Sequence, residues 1–287
     1  MLKILSHLTD AAVHATDGSI GNVKAAFFDD QSWAIRYLVV DTGTWLPGRS
    51  VLISPYSVKL PLADDKKIDV TLTRMKVQGS PDVDTHQPVS RQHERDYMDY
   101  YAYPEYWNGG GLWGEGAFPI FSYRPSPKEI AAYKAMHEHD LRVADAHLRS
   151  SAKVSGYEIH ATDGSIGHVK DFVFDEDSWA IRYLVVDTNN WWPGGKKVLI
   201  ATHWIDEIDW STGSVNVALT REQVKTSPEY EESLTINRGY EQLLHDTYNR
   251  KGYWDYEQDA VRPFGVDPAV AATANKTVYT APRATRY

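Results

Sequence analysis

No cysteine occurs in the 287 residues, which excludes disulfides, thiol nucleophiles and thiolate-held zinc or iron–sulfur centres. Basic residues are also in short supply, with 30 Lys and Arg against 39 Asp and Glu, a formal charge of −9. So acidic a chain lacks the positive footprint that sequence-independent binding to nucleic acid needs, and no nucleic-acid partner is expected. Long apolar runs are missing too. No stretch reaches the roughly 20 apolar residues of a membrane-spanning helix. The apolar part of the first eighteen residues is short for a secretory leader and is interrupted by Asp10. Any membrane contact is therefore expected to be peripheral, and the lack of cysteine fits a cytoplasmic location. Neither Gly-x-Ser-x-Gly nor His-Glu-x-x-His occurs, so these hydrolase signatures point to nothing here.

What the chain does carry is one passage written twice. His14–Gly21 and His160–Gly167 both read HATDGSIG, and Ser32–Thr42 and Ser178–Thr188 both read SWAIRYLVVDT. The offset is 146 residues, rising to 147 after one extra residue near Lys196-Lys197. A period this long marks a duplicated domain, since solenoid repeats run about 20–50 residues. Within each copy the pattern is that of short strands. Leu2 to Val13 reads as a first strand entering its own unit. Thr16-Asp17-Gly18-Ser19 is a turn, because Asp and Gly tolerate the left-handed region. Ile20 to Phe28 alternates, with Ile20, Val23 and Phe27 facing inward, and Gly21 marks a bulge or a close backbone approach. Trp33 to Asp41 is the strongest strand, and its Leu38-Val39-Val40 run predicts cover on both faces. Val51–Ile53 and Ile68–Leu72 follow.

Helical signals trail the strands. Thr73 and Thr220 are N-cap candidates, the second with Gln223 placed for a capping box, and Ser90 opens another short helix. These readings divide the chain into a first unit at 1–107, a Gly/Pro/aromatic linker at 108–127, a connecting helix at 128–149, a second unit at 150–254 and a largely disordered tail at 255–287. The near-identity of the copies predicts that they pack about a pseudo-twofold axis, as two chains of a dimer would.

The combination HATDGSIG-x-Val-Lys, then WAIRYLVVDT, then Trp-x-Pro-Gly and Val-Leu-Ile, twice over, resembles the PRC-barrel family. The likeness covers about 1–80 and 148–227. It implies a mainly β fold with added helices: two small, partly open antiparallel β-barrels of PRC-barrel type in tandem. That family is named for the cytoplasmic barrel of the photosynthetic reaction-centre H subunit, where the barrel modulates electron and proton transfer to quinone. Its known members bind protein partners. The resemblance brings no shared catalytic or cofactor residues, and the tandem form without a membrane helix looks like uncharacterised bacterial PRC-barrel proteins.

Candidate contact residues follow from duplication and position. Arg36 and Arg182 lie one on each copy of the strong strand, with Asp41 and Asp187 an odd number of residues on and so on the opposite face. His14 and His160 open the repeated turn and are expected to hydrogen-bond it. Trp45, Trp191 and Trp192 lie in loops before Pro-Gly, where exposed rings would serve as partner anchors. His137-Glu138-His139-Asp140 puts two metal-type ligands on one helix face, short of the three or four that a site needs. Asp29-Asp30 reads as a solvated turn. Together these predict a non-enzymatic adaptor or scaffold without metal or cofactor. The alternative is a small-molecule or quinone-related unit at the junction of the barrels.

Overall fold

The computed structural model describes residues 1–62, 64–82, 89–107, 109–114, 116–120, 147–189, 191, 194–232 and 235–255. The first copy contributes β1 (Leu2–Ile4), β2 (Ala12–Ala15), β3 (Gly18–Asp29), β4 (Ile35–Asp41), β5 (Ser50–Ile53) and β6 (Lys67–Asp69). The helices α1 (Arg74–Gln78) and α2 (Arg91–Tyr101) come next. The second copy repeats the plan. It has β7 (Leu148–Ser150), the single turn α3 (Ser151–Val154), β8 (Glu158–Ala161), β9 (Gly164–Asp175), β10 (Ile181–Asp187), β11 (Lys197–Ala201), β12 (Ile205–Asp209), β13 (Ser214–Val217), α4 (Arg221–Thr226) and α5 (Arg238–Thr247).

Two sheets result, in the orders β5-β4-β3-β2-β6 and β11-β10-β9-β8-β13-β12. Neither closes into a barrel among the described residues. Pairing is antiparallel except at β2–β6 and β8–β13, which are parallel because the chain returns by a crossover rather than a hairpin. The strong strand behaves as its composition predicts: Leu38 and Val40 are fully buried, and so are Leu184 and Val186. Ile20, Val23 and Phe27 face inward as expected. Gly21 and Gly167 sit at close approaches. A Cβ added there would lie 1.9 Å and 2.1 Å from the carbonyl oxygens of Asp41 and Asp187.

The first strand does not stay in its own unit. Leu2–Ile4 pairs with β9 of the second copy, Ile4 opposite Val173, and Leu148–Ser150 pairs with β3 of the first, Ser150 opposite Phe27. The expected single strand from Leu2 to Val13 is broken by a 3₁₀ turn at Leu5–Leu8, and only Ala12–Ala15 joins the first sheet. The cause is a mismatch of length. β3 has 12 residues and β2 only 4, so the far end of β3 presents unpaired backbone groups that the exchanged strand satisfies. Between the two exchanges Ala34 bridges Ala180 antiparallel. Ile35 N–H donates to the Trp179 carbonyl at 2.8 Å, and Ile181 N–H to the Trp33 carbonyl at 2.7 Å. Trp33 and Trp179 reach this geometry only with φ of 56° and 58°, an uncommon region for a bulky residue. Packing of their rings against Phe28 and Phe174, with centroids 5.3 Å and 5.4 Å apart, holds them there. The copies are thus related by the expected pseudo-twofold and share one continuous core.

The capping signals are used as read. Thr73, Ser90 and Thr220 each accept from the third backbone N–H of their helix, and Thr220 with Gln223 completes the capping box. Helix α2 covers the open edge of β5. Tyr97 Oη donates to the Leu52 carbonyl at 3.0 Å and accepts from Ser54 N–H at 3.1 Å. Two expectations need correction. Leu148, placed at the end of a connecting helix, begins a strand; the rest of that helix lies outside the described residues, as does the tail beyond Asp255. The Asp29-Asp30 turn is not solvated. Asp29 is buried and accepts from the N–H groups of Gln31 and Ser32, and Asp30 pairs with Arg149 of the exchanged strand at 2.7 Å.

Replacing Ile4 by Ala removes a buried side chain and should cost about 2–4 kcal/mol. Because the contact is exchanged, amide hydrogen exchange should rise at Val173 and Phe174 in the second copy more than at β2 in the first.

Candidate functional site

The repeated turn works by its carboxylate. Asp17 Oδ1 accepts from the Arg74 N–H at 2.7 Å, and Asp163 Oδ1 from the Arg221 N–H at 2.7 Å, so the turn ties down the first residue of α1 or α4. Thr16 and Thr162 add hydroxyl bonds to the Leu72 and Leu219 carbonyls, each at 3.2 Å. The histidines that open the motif do not bond the turn among the described residues. His160 Nε2 lies 3.4 Å from Glu158, and His14 gives its backbone carbonyl to Val70 N–H at 2.9 Å.

The same tie sets the position of a surface pair. The side chain of Arg74 lies over the ring of Trp45, 4.6 Å from its centroid, and Arg221 lies over Trp191 at 4.3 Å. Both tryptophans are half-buried, with one face on the core and the other under a guanidinium. Beside Trp191 an open depression of about 220 Å³ is lined by Arg221, Glu222 and Lys225. Trp192 lies outside the described residues. Asp41 and Asp187 are turned away from the arginines of their strands and accept from Gly43 N–H and Asn189 N–H, each at 2.9 Å.

Arg36 and Arg182 flank the Ala34–Ala180 bridge. Arg36 is buried, donates to the Leu112 carbonyl at 2.7 Å and to Ser32 Oγ at 2.9 Å, and stacks on Tyr106 at 3.8 Å. Burial lowers the pKa of its guanidinium, against the pull of Tyr106, Asp29 and Glu94. Arg182 stacks on Tyr253 at 4.0 Å, the equivalent ring. Between them stands Trp113, which the sequence placed in a linker. Its ring is 4.7 Å from the Arg36 guanidinium, its indole N–H donates to the Ser178 carbonyl at 2.7 Å, and it is 4% exposed. Glycine content hid this residue. The one sign of it was a Leu-Trp pair among five glycines, too apolar for a free tether. The junction where an alternative ligand was envisaged is spanned by this indole.

Behind Arg36 lies a polar cage that the sequence did not reveal. Glu94 on α2 is buried, receives hydrogen bonds from Tyr106 and, at 3.3 Å, from Tyr37, and pairs with Arg91 at 3.0 Å. Burial pushes its carboxyl up to about 7, with Arg91, Tyr106 and Arg36 pulling the other way. In the second copy Glu241 takes this place, with Tyr183 at 2.9 Å and Arg238 at 3.2 Å. No group of three or more metal-type ligands is found among the described residues, and the His137–Asp140 cluster lies outside them. No helix among them is long and apolar enough to cross a membrane.

An open sheet with a tied turn is the geometry to set beside known families. Residues 148–224 match the PRC-barrel domain. The matched stretch runs from the exchanged strand β7 into α4, so it includes both the Asp163 tie and the Trp191–Arg221 pair of this PRC-barrel domain. A comparison with curated proteins finds no match.

The raised carboxyl has a stability signature. Glu94 holds its proton better folded than unfolded, so its contribution is complete below about pH 4.5 and is lost as pH rises through about 7. Urea melts of the wild type and Glu94→Gln should differ by on the order of 2–3 kcal/mol in their change between pH 4.5 and 8. The variant should be the flatter of the two.

Proposed function

We propose that both halves are PRC barrels and that the chain is a non-enzymatic adaptor, binding protein through the surfaces that carry its paired tryptophan–arginine stacks in the cytoplasm, free or at the periphery of a membrane complex. The observation that carries this reading is the duplication of the Trp45–Arg74 stack at Trp191–Arg221. A half-buried ring with its outer face roofed by a guanidinium is a rigid, amphipathic anchor of the kind that dominates protein contacts. Two such anchors related by a pseudo-twofold suit a symmetric or repeated partner. The protein binding known for PRC-barrel members supports the same reading. The conspicuous charged residues, by contrast, are engaged within the fold: Arg36 by Leu112, Ser32 and Tyr106, and Asp17 and Asp163 by helix starts.

The test is affinity capture of the tagged full-length protein from its own host, beside the Trp45→Ala/Trp191→Ala double variant. Each substitution removes a cation–π stack worth about 0.5–1 kcal/mol and the packing of a half-buried ring, so the variant should melt below the wild type while remaining folded at the capture temperature. The specifically captured proteins should be lost. Equal capture of the same proteins by both forms would overturn the tryptophan-anchor reading.

A further inference from the structure

The two copies differ sharply at one internal place. At the end of α5, His245 is buried and its ring lies parallel to that of His203, with 5.7 Å between centroids and 8° between planes. Both rings aim at one acceptor, the Lys251 carbonyl, with His245 Nδ1 at 3.0 Å and His203 Nε2 at 3.2 Å. A carbonyl can only accept, so both nitrogens carry hydrogens and both tautomers are set. Trp254 closes over His245 with ring centroids 4.9 Å apart. The first copy places Tyr56 and Met98 at the positions of His203 and His245, so it carries no imidazole at either.

We propose that the His203–His245 stack is an acid-sensitive latch that holds Lys251–Asp255 on the second barrel and releases it when the imidazoles take up protons. His203 is the exposed ring and takes its proton at the surface; that charge then stands against the parallel face of His245. A second proton on His245 would enter a site already rich in cations. Arg182 on β10, Arg238 on α5 and Arg250 beside the latch all lie near the pair. The facing carboxylates are committed elsewhere: Glu241 to Arg238 and to the Tyr183 hydroxyl, which stands 3.0 Å from His245 Nε2, and Asp255 to Gly252 N–H. Burial, with His203 adding to it, lowers the His245 imidazole to about 4, and burial lowers His203 as well. The released state therefore binds more protons than the latched one, and the latch weakens as pH falls from about 6.5 toward 4. The first copy moves oppositely, since Glu94 gains hold over much of the same range.

Hydrogen exchange of the full chain, followed by mass spectrometry at pH 7.5 and 5.0 and corrected for intrinsic exchange rates, tests the latch. Peptides covering 238–255 should open on the order of tenfold more at pH 5.0, while those covering 91–107 should not. His245→Met and His203→Tyr, which copy the residues of the first unit, should abolish the rise. A rise of equal size in both copies, a rise that persists in the double variant, or no rise in the wild type would overturn the proposal. Should the variants fail to fold, nitrogen-15 imidazole titration of the wild type decides: His245 titrating at or above about 6.5 would also overturn it.

Discussion

Backbone hydrogen bonding across the pseudo-twofold, centred on the Ala34–Ala180 bridge, is the constraint on which the rest of the molecule depends. Each long strand overshoots its short neighbour, and an unpaired strand end buried against a second domain would leave donors and acceptors without water or protein. Exchange of Leu2–Ile4 and Leu148–Ser150 solves this twice with three residues each. The strain at Trp33 and Trp179 and the single shared core follow from that choice.

Polar groups enter this junction only under cover. Trp113 supplies an apolar wall on one face of the Arg36 guanidinium and a donor to Ser178 on the far side, so one ring both packs and connects the copies. Glu94 and Glu241 are held by tyrosines and arginines in place of solvent. The Glu94 carboxyl titrates above the ordinary carboxylate range because burial disfavours its charged form more than the surrounding donors restore it. Where the first copy has Tyr56 and Met98, the second has a stacked pair of histidines, so two nearly identical frames differ in the imidazoles they carry.

Much of this was legible locally. The turn at Asp17-Gly18, the inward set Ile20, Val23 and Phe27, the covered strand Leu38–Val40 and the caps at Thr73, Ser90 and Thr220 are all set by neighbours within a few residues, and all stand where the sequence placed them. The errors share a different origin. Asp29-Asp30 read as a surface turn because its partner, Arg149, is more than a hundred residues away. The linker read as free because glycine signals flexibility, and the groups that trap Leu112-Trp113 come from Arg36 and Ser178.

By itself the sequence determined that there are two copies, that each has the strong central strand, that helices are capped at Thr73, Ser90 and Thr220 and that no cysteine chemistry is available, since each rests on composition or short-range pattern. Only the tertiary structure decided which sheet each first strand joins. The ends of β3 and β9, Phe27-Phe28-Asp29 and Val173-Phe174-Asp175, are so alike that local preference cannot choose between them. The choice falls to the unpaired edge each copy offers the other. The tertiary structure likewise decided that His203 and His245 face each other, because they sit on separate elements and meet only when α5 docks.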